Sequence, residues 1–138
     1  MNIAYFLTPR QEVQALYDDN TIRKGLEVMR NSTYSVMPVT TRDNIYLGTV
    51  SVADFLWYLF DDIDDEGNIY TKNVSKGRVQ QIMKKNTYPA VNITATIEEL
   101  MGRIVDQNFV PVVDGRGALV GIVTRHKVMD YFKDSGVL

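Results

Sequence analysis

Thr124-Arg125-His126-Lys127 is the stretch of this 138-residue sequence best equipped to hold an anion. A hydroxyl and a run of potentially cationic side chains stand directly after the apolar segment Ala118 to Val123. Val128, Met129 and Phe132 follow at helical spacing. Threonine caps helices well, so the pattern predicts a strand that ends where a helix begins. A helix N-terminus offers unpaired N–H groups and a partial positive charge, and both favour phosphate.

Other chemistries lack their residues. One histidine and no cysteine leave only His126 beside Thr124 or Ser51, hydroxyls that already have capping roles, so no nucleophile-and-base arrangement stands out. Disulfides and thiolate metal sites are excluded. Asp62, Asp64, Glu66, Gly67 and Ile69 fall at calcium-loop spacing, but position twelve is Asn73 and the closing carboxylate is missing, so the run reads as a solvated acidic loop. Gly115-Arg116-Gly117 has Val120 where a dinucleotide-binding loop needs its third glycine, and it sits in a hairpin context. The sequence reads as non-catalytic, with no metal site.

The elements that position the anion-favouring turn repeat along the chain. Val110 to Val113 and Ala118 to Val123 flank Asp114-Gly115-Arg116-Gly117, which predicts a hairpin. In the first half, Ile3, Phe6 and Leu7 form a short apolar face that Pro9 ends. Val13 to Tyr17 is extended, and Thr21 opens a helix with Ile22, Leu26 and Met29 inward. Tyr34 to Thr40 and Ile45 to Val50 are strands, and Ser51 caps a helix through Val52, Phe55, Leu56 and Leu59. Val79, Ile82 and Met83, then Ala90 to Ile93, replay the opening. A Thr96–Glu99 capping box begins a helix with the stripe Ile97, Leu100, Met101, Ile104 and Val105. Thr21 and Thr96 lie 75 residues apart, and both Pro38/Pro111 and Gly48/Gly121 lie 73 apart. An internal duplication explains these near-constant offsets.

Composition sets the class. The hydrophobic share of 45% is that of a globular protein. Lys and Arg number 15 against 17 Asp and Glu, a net charge of −2, which argues against a general nucleic-acid or anionic-membrane surface. No apolar run approaches the ~20 residues of a membrane span. The opening MNIAYFLTPRQE has no signal-peptide pattern, so a cytoplasmic location is expected.

The duplicated unit resembles the CBS domain. Val36-Met37-Pro38-Val39 with Gly48-Thr49-Val50-Ser51-Val52-Ala53-Asp54 is one copy of its signature. Phe109-Val110-Pro111-Val112 with Gly121-Ile122-Val123-Thr124-Arg125-His126-Lys127 is the other. The resemblance covers essentially the whole chain and implies an α/β (α+β) fold of tandem CBS domains, two pseudo-symmetric small mixed sheets flanked by helices. It divides the chain into motif 1 (1–60), a linker (61–78) and motif 2 (79–138), a stand-alone bacterial CBS pair or Bateman module. It also implies a homodimer formed through the outer helices, and Trp57 and Tyr58 with Phe55 are the expected dimer face.

The same resemblance implies two clefts between the halves, each taking an adenosine-containing ligand. One is formed by Gln14, Tyr34 and Val36 with Thr124, Arg125, His126 and Lys127. Its cations and hydroxyl suit phosphate, and Tyr34 offers a face to a base. Lys127 stands where the family has an Asp for the ribose hydroxyls, and lysine cannot accept a hydrogen bond. The second is formed by Thr87, Pro89 and Phe109 with Thr49, Ser51 and Asp54; it keeps the Asp but has Val52 and Ala53 in place of cations, so the first is the better phosphate site. The residues also allow plainer roles. Asp54 and Lys127 suit any first helical turn, Arg125 suits an ion pair with a partner's carboxylate, His126 suits solvent, and Tyr34 and Phe109 suit a core.

The expectation is a regulatory module without a cofactor. It senses an adenine nucleotide (AMP, ADP, ATP or cyclic di-AMP) and signals to an unknown protein partner by shifting a population of conformations. The alternative is a structural or dimerisation module with degenerate clefts.

Overall fold

The computed structural model describes residues 2–60, 65–67 and 75–136. The chain order is β1 (Thr8–Pro9), β2 (Leu16–Tyr17), α1 (Ile22–Arg30), β3 (Val36–Thr40), β4 (Tyr46–Ser51) and α2 (Val52–Phe60). It continues with β5 (Val91–Asn92), α3 (Ile97–Ile104), β6 (Phe109–Val113), β7 (Leu119–Thr124) and α4 (Arg125–Asp134). Short 3-10 turns at Ile3–Phe6, Arg10–Glu12 and Val79–Gln81 complete the described elements. The expected acidic run from Asp61 to Asp64, with Ile69 and Asn73, lies outside the described residues. Among the described residues no helix is long and apolar enough to cross a membrane.

The expected α/β class holds, with two small mixed sheets. One has the order β1-β7-β6-β5 and the other β2-β3-β4. In the first, β5 runs parallel to β6, while β6/β7 and β1/β7 are antiparallel. In the second, β2 runs parallel to β3. The compact units do not follow the halves of the sequence. Met1–Val13, Asn44–Tyr46 and Tyr88–Leu138 supply the described residues of one unit, and Gln14–Asp43 with Leu47–Thr87 supply those of the other. The first-half turn Ile3–Phe6 thus serves the second-half sheet, and Val79–Gln81 serves the first-half sheet.

Each unit has its own core. Ile3, Phe6, Leu100, Val110, Val112 and Val123 fill one; Leu16, Ile22, Met37, Val39, Phe55 and Val79 fill the other. The helices start where the hydroxyls predict: Thr21, Thr96 and Thr124 each accept the N–H three residues on, at 3.0, 3.1 and 3.1 Å. The predicted hairpin turns on Asp114, whose Oδ1 accepts the Arg116 and Ala118 N–H groups at 2.9 and 3.0 Å, with Gly117 at φ +83°.

Three apolar assignments are corrected. Val105 is 74% exposed because α3 stops at Ile104, and the chain turns before the stripe can continue. Met129 is 54% exposed: Val128 takes the buried line of α4, and the next residue points elsewhere on the helix. Phe55 is core rather than surface, so the exposed face of α2 is Val52, Leu56, Trp57 and Phe60.

Candidate functional site

The strand-to-helix turns at Ser51 and Thr124 have the same backbone wiring. Val52 N–H donates to Ser35 O and Arg125 N–H donates to Asn108 O, both at 2.9 Å. The third helical N–H of each goes back to the cap hydroxyl: Asp54 N–H to Ser51 Oγ at 3.2 Å, and Lys127 N–H to Thr124 Oγ1 at 3.1 Å. No acceptor among the described residues meets the His126 N–H.

Both turns need their glycine for one reason. A Cβ on Gly48 would lie 2.2 Å from Lys84 O, and one on Gly121 would lie 2.2 Å from Thr8 O. In each case the neighbouring backbone comes too close for any side chain.

The charges of the two turns differ. Asp54 folds its carboxylate back so that Oδ2 accepts the Ser51 N–H at 2.8 Å, completing a capping box. A negative group therefore already sits on the positive end of α2, where a second anion meets repulsion. At α4 the corresponding side chain is Lys127, whose Nζ donates to Leu7 O at 3.3 Å. His126 is exposed and pairs its Nε2 with Asp130 Oδ2 at 3.2 Å.

Arg125 is more engaged than its sequence position suggests. Its Nε donates to Ile104 O at 3.0 Å, Nη2 to Val105 O at 3.1 Å and Nη1 to Asn108 Oδ1 at 3.1 Å. The guanidinium thus caps the C-terminal end of α3, where carbonyls lack helical partners and a cation is favoured. Two of its five N–H donors remain for an anion.

The base-side residues of each half differ as well. Gln14 and Tyr34 are exposed, Tyr34 at 55%, and Val36 is half-buried. The residue 73 positions after Tyr34 is Gln107, which is buried; its Nε2 donates to Pro89 O at 3.3 Å and Phe109 O at 3.2 Å. Phe109 is buried against the Tyr88 ring, with centroids 4.7 Å apart. Pro89 and Phe109 are thus filled in by the chain's own side chains, while Gln14 and Tyr34 stand open. Thr87 is exposed and shares a 3.2 Å hydrogen bond with the buried Thr49.

Sequence reasoning missed Gln107, which has no neighbouring motif to mark it. It also missed Lys84 and Lys85. The Lys84 and Thr49 backbones exchange N–H to O bonds at 2.8 and 2.9 Å, which puts exposed lysines beside the turn thought to lack cations. Among the described residues no group of three or more His, Cys, Asp or Glu could hold a metal.

The family model of the CBS domain matches residues 5–61 and 79–134. Among curated proteins, the chain is 26% identical over 143 residues to the chloroplastic CBS domain-containing protein CBSX2 of Arabidopsis thaliana. It is also 26% identical over 115 residues to a homoserine O-acetyltransferase of Methanococcus vannielii. It covers 60% and 21% of these proteins' lengths, with 90% and 82% of this chain matched. Among solved structures, a CBS domain protein from Streptococcus pneumoniae superposes with a TM-score of 0.83 at 25% identity, covering 95% of this chain and 86% of that one. CbpB of Listeria monocytogenes in complex with c-di-AMP gives 0.82 at 23% identity, covering 96% of each chain. CBSX2 in complex with AMP gives 0.75 at 24% identity, covering 98% of each.

Proposed function

This chain belongs to the CBS domain family, and on that premise we propose that it is a non-catalytic regulatory module that binds an adenine nucleotide by its phosphates at Thr124, Arg125, His126 and Lys127. The observation that carries the reading is the contrast between the two helix N-termini. The carboxylate of Asp54 caps one; two spare guanidinium donors and exposed His126 and Lys127 mark the other. Structures of similar fold with c-di-AMP and with AMP bound support the ligand class.

In this reading Gln14, Tyr34 and Val36 meet the base, and Tyr34 supplies the aromatic face. Thr87, Pro89, Phe109, Thr49, Ser51 and Asp54 form a second position that holds phosphate poorly, because Asp54 repels it, and whose base side is closed while Gln107 and Tyr88 are seated. AMP, ADP, ATP and c-di-AMP are the candidate ligands. Cations spread over adjacent side chains, with lysine in place of a ribose acceptor, favour c-di-AMP. The exposed apolar face of α2 is the proposed homodimer surface, through which a bound state reaches a protein partner.

Arg125→Ala should abolish nucleotide binding in titration calorimetry, while Asp54→Ala should leave most of it; the reverse result overturns the assignment. The second reading is a structural module with degenerate clefts, favoured by the engagement of Arg125 with α3. Failure of every candidate ligand at millimolar concentration to raise the melting temperature would select it.

A further inference from the structure

Two sets of polar contacts meet on the Ile104–Asn108 segment, one from the anion-favouring turn and one reaching Pro89 and Phe109, the residue of β6 that pairs with Thr124. Arg125 holds Ile104 O, Val105 O and Asn108 Oδ1 with its guanidinium, and Asn108 O with its own N–H. Gln107, inside that held segment, is 4% exposed and spends its amide on Pro89 O and Phe109 O. A buried amide with two carbonyl acceptors is costly to unseat, because its donors and both acceptors would lose their partners together. The first-half turn has Val52 in place of Arg125 and Tyr34 in place of Gln107, so it lacks both ends of this connection.

We propose that Arg125 and Gln107 form a relay that transmits phosphate occupancy at Thr124–Lys127 to Pro89 and Phe109, the base side of the second nucleotide position. The inference rests on the nucleotide-binding reading and adds its regulation. A phosphate taken up by the two spare Arg125 donors fixes the guanidinium without displacing its three present acceptors. The Ile104–Asn108 segment then opens less often, Gln107 stays seated, and the second position stays closed. Occupancy of one site thereby keeps the other empty. Arg125 is the positioning residue at one end and Gln107 at the other.

The experiment is hydrogen exchange on the full chain, with and without c-di-AMP or AMP at saturation, read over residues 104–109 and 88–92. Without ligand, Arg125→Ala should speed exchange of 104–109 by about tenfold, the effect of losing charge-assisted bonds on part-exposed carbonyls. With ligand, the wild type should slow in both segments. Arg125→Lys keeps the charge but not the fork, and should bind without slowing either. Gln107→Met keeps the length without the donors, and should slow 104–109 only. Thermal shift run in parallel separates the failures. Binding without any change in exchange overturns the relay and leaves the nucleotide reading standing. Absence of binding overturns both. Unchanged exchange in ligand-free Arg125→Ala overturns the clamp itself.

Discussion

Gly121→Ala tests whether the duplicated glycine is there for space. The new Cβ would lie 2.2 Å from Thr8 O and 2.8 Å from Leu7 Cδ1, where real Cβ contacts essentially never fall under 3.0 Å. The nearer obstacle is backbone, so no rotamer change relieves it. β1 must retreat by about 0.8 Å, and it holds only the pairs Thr8↔Ile122 and Pro9↔Gly121. Overpacking of this kind costs about 1–3 kcal/mol, and a backbone obstacle places it at about 2–3. For a chain of this size that lowers the melting temperature by about 6–12 °C. Urea unfolding followed by far-ultraviolet circular dichroism should show the midpoint falling by about 1–1.5 M with an unchanged slope. Gly48→Ala, which faces Lys84 O at the same distance, should behave alike. Gly115→Ala is the control: nothing lies within 4 Å of its added Cβ, so its stability should stay within about 0.5 kcal/mol. If Gly121→Ala matches that control, the steric explanation of the motif is wrong.

Gly102 lies inside α3 with nothing within 4 Å of an added Cβ, so Gly102→Ala should stabilise by about 0.5–1 kcal/mol in the same urea assay; a loss would contradict it. The hairpin turn should loosen in acid. The Arg116 and Ala118 N–H groups hold the Asp114 carboxyl below the usual carboxylate range. A depressed folded pKa means that its stabilising contribution is complete above the ordinary value near 4 and lost as pH falls further, through the folded value. The amide resonances of Arg116 and Ala118 should therefore stay constant from pH 7 to about 4 and titrate only below it; a midpoint above 4 refutes the turn's role.

Helix starts and strand order within each half were legible because they rest on local signals. A hydroxyl three residues ahead of a bonded N–H, and Asp114 before Gly115, act over a few positions. The interleaved units were not, because Ile3–Phe6 and Val79–Gln81 choose their sheets by contacts far along the chain, such as Ile3 and Phe6 with Leu100 and the Val79 N–H with Asn20 O. Val105 and Met129 misled because apolar spacing continues past the point where α3 ends, or beside the line that α4 buries. The anion-favouring turn was found by type and spacing. What the sequence could not reveal is that Arg125 reaches the end of α3, or that Gln107 and Tyr34, at equivalent positions, have opposite fates. Those depend on which carbonyls the fold brings within reach.

The central claim is that an adenine nucleotide places its phosphates at Thr124–Lys127. Its most direct test is an NMR titration of the isotope-labelled protein with c-di-AMP and, separately, AMP, following the amides of residues 125–127 and 52–54. The account predicts saturable shifts at 125–127, largest at His126, with 52–54 unmoved. Saturable shifts confined to 52–54, or none at either turn, would contradict it.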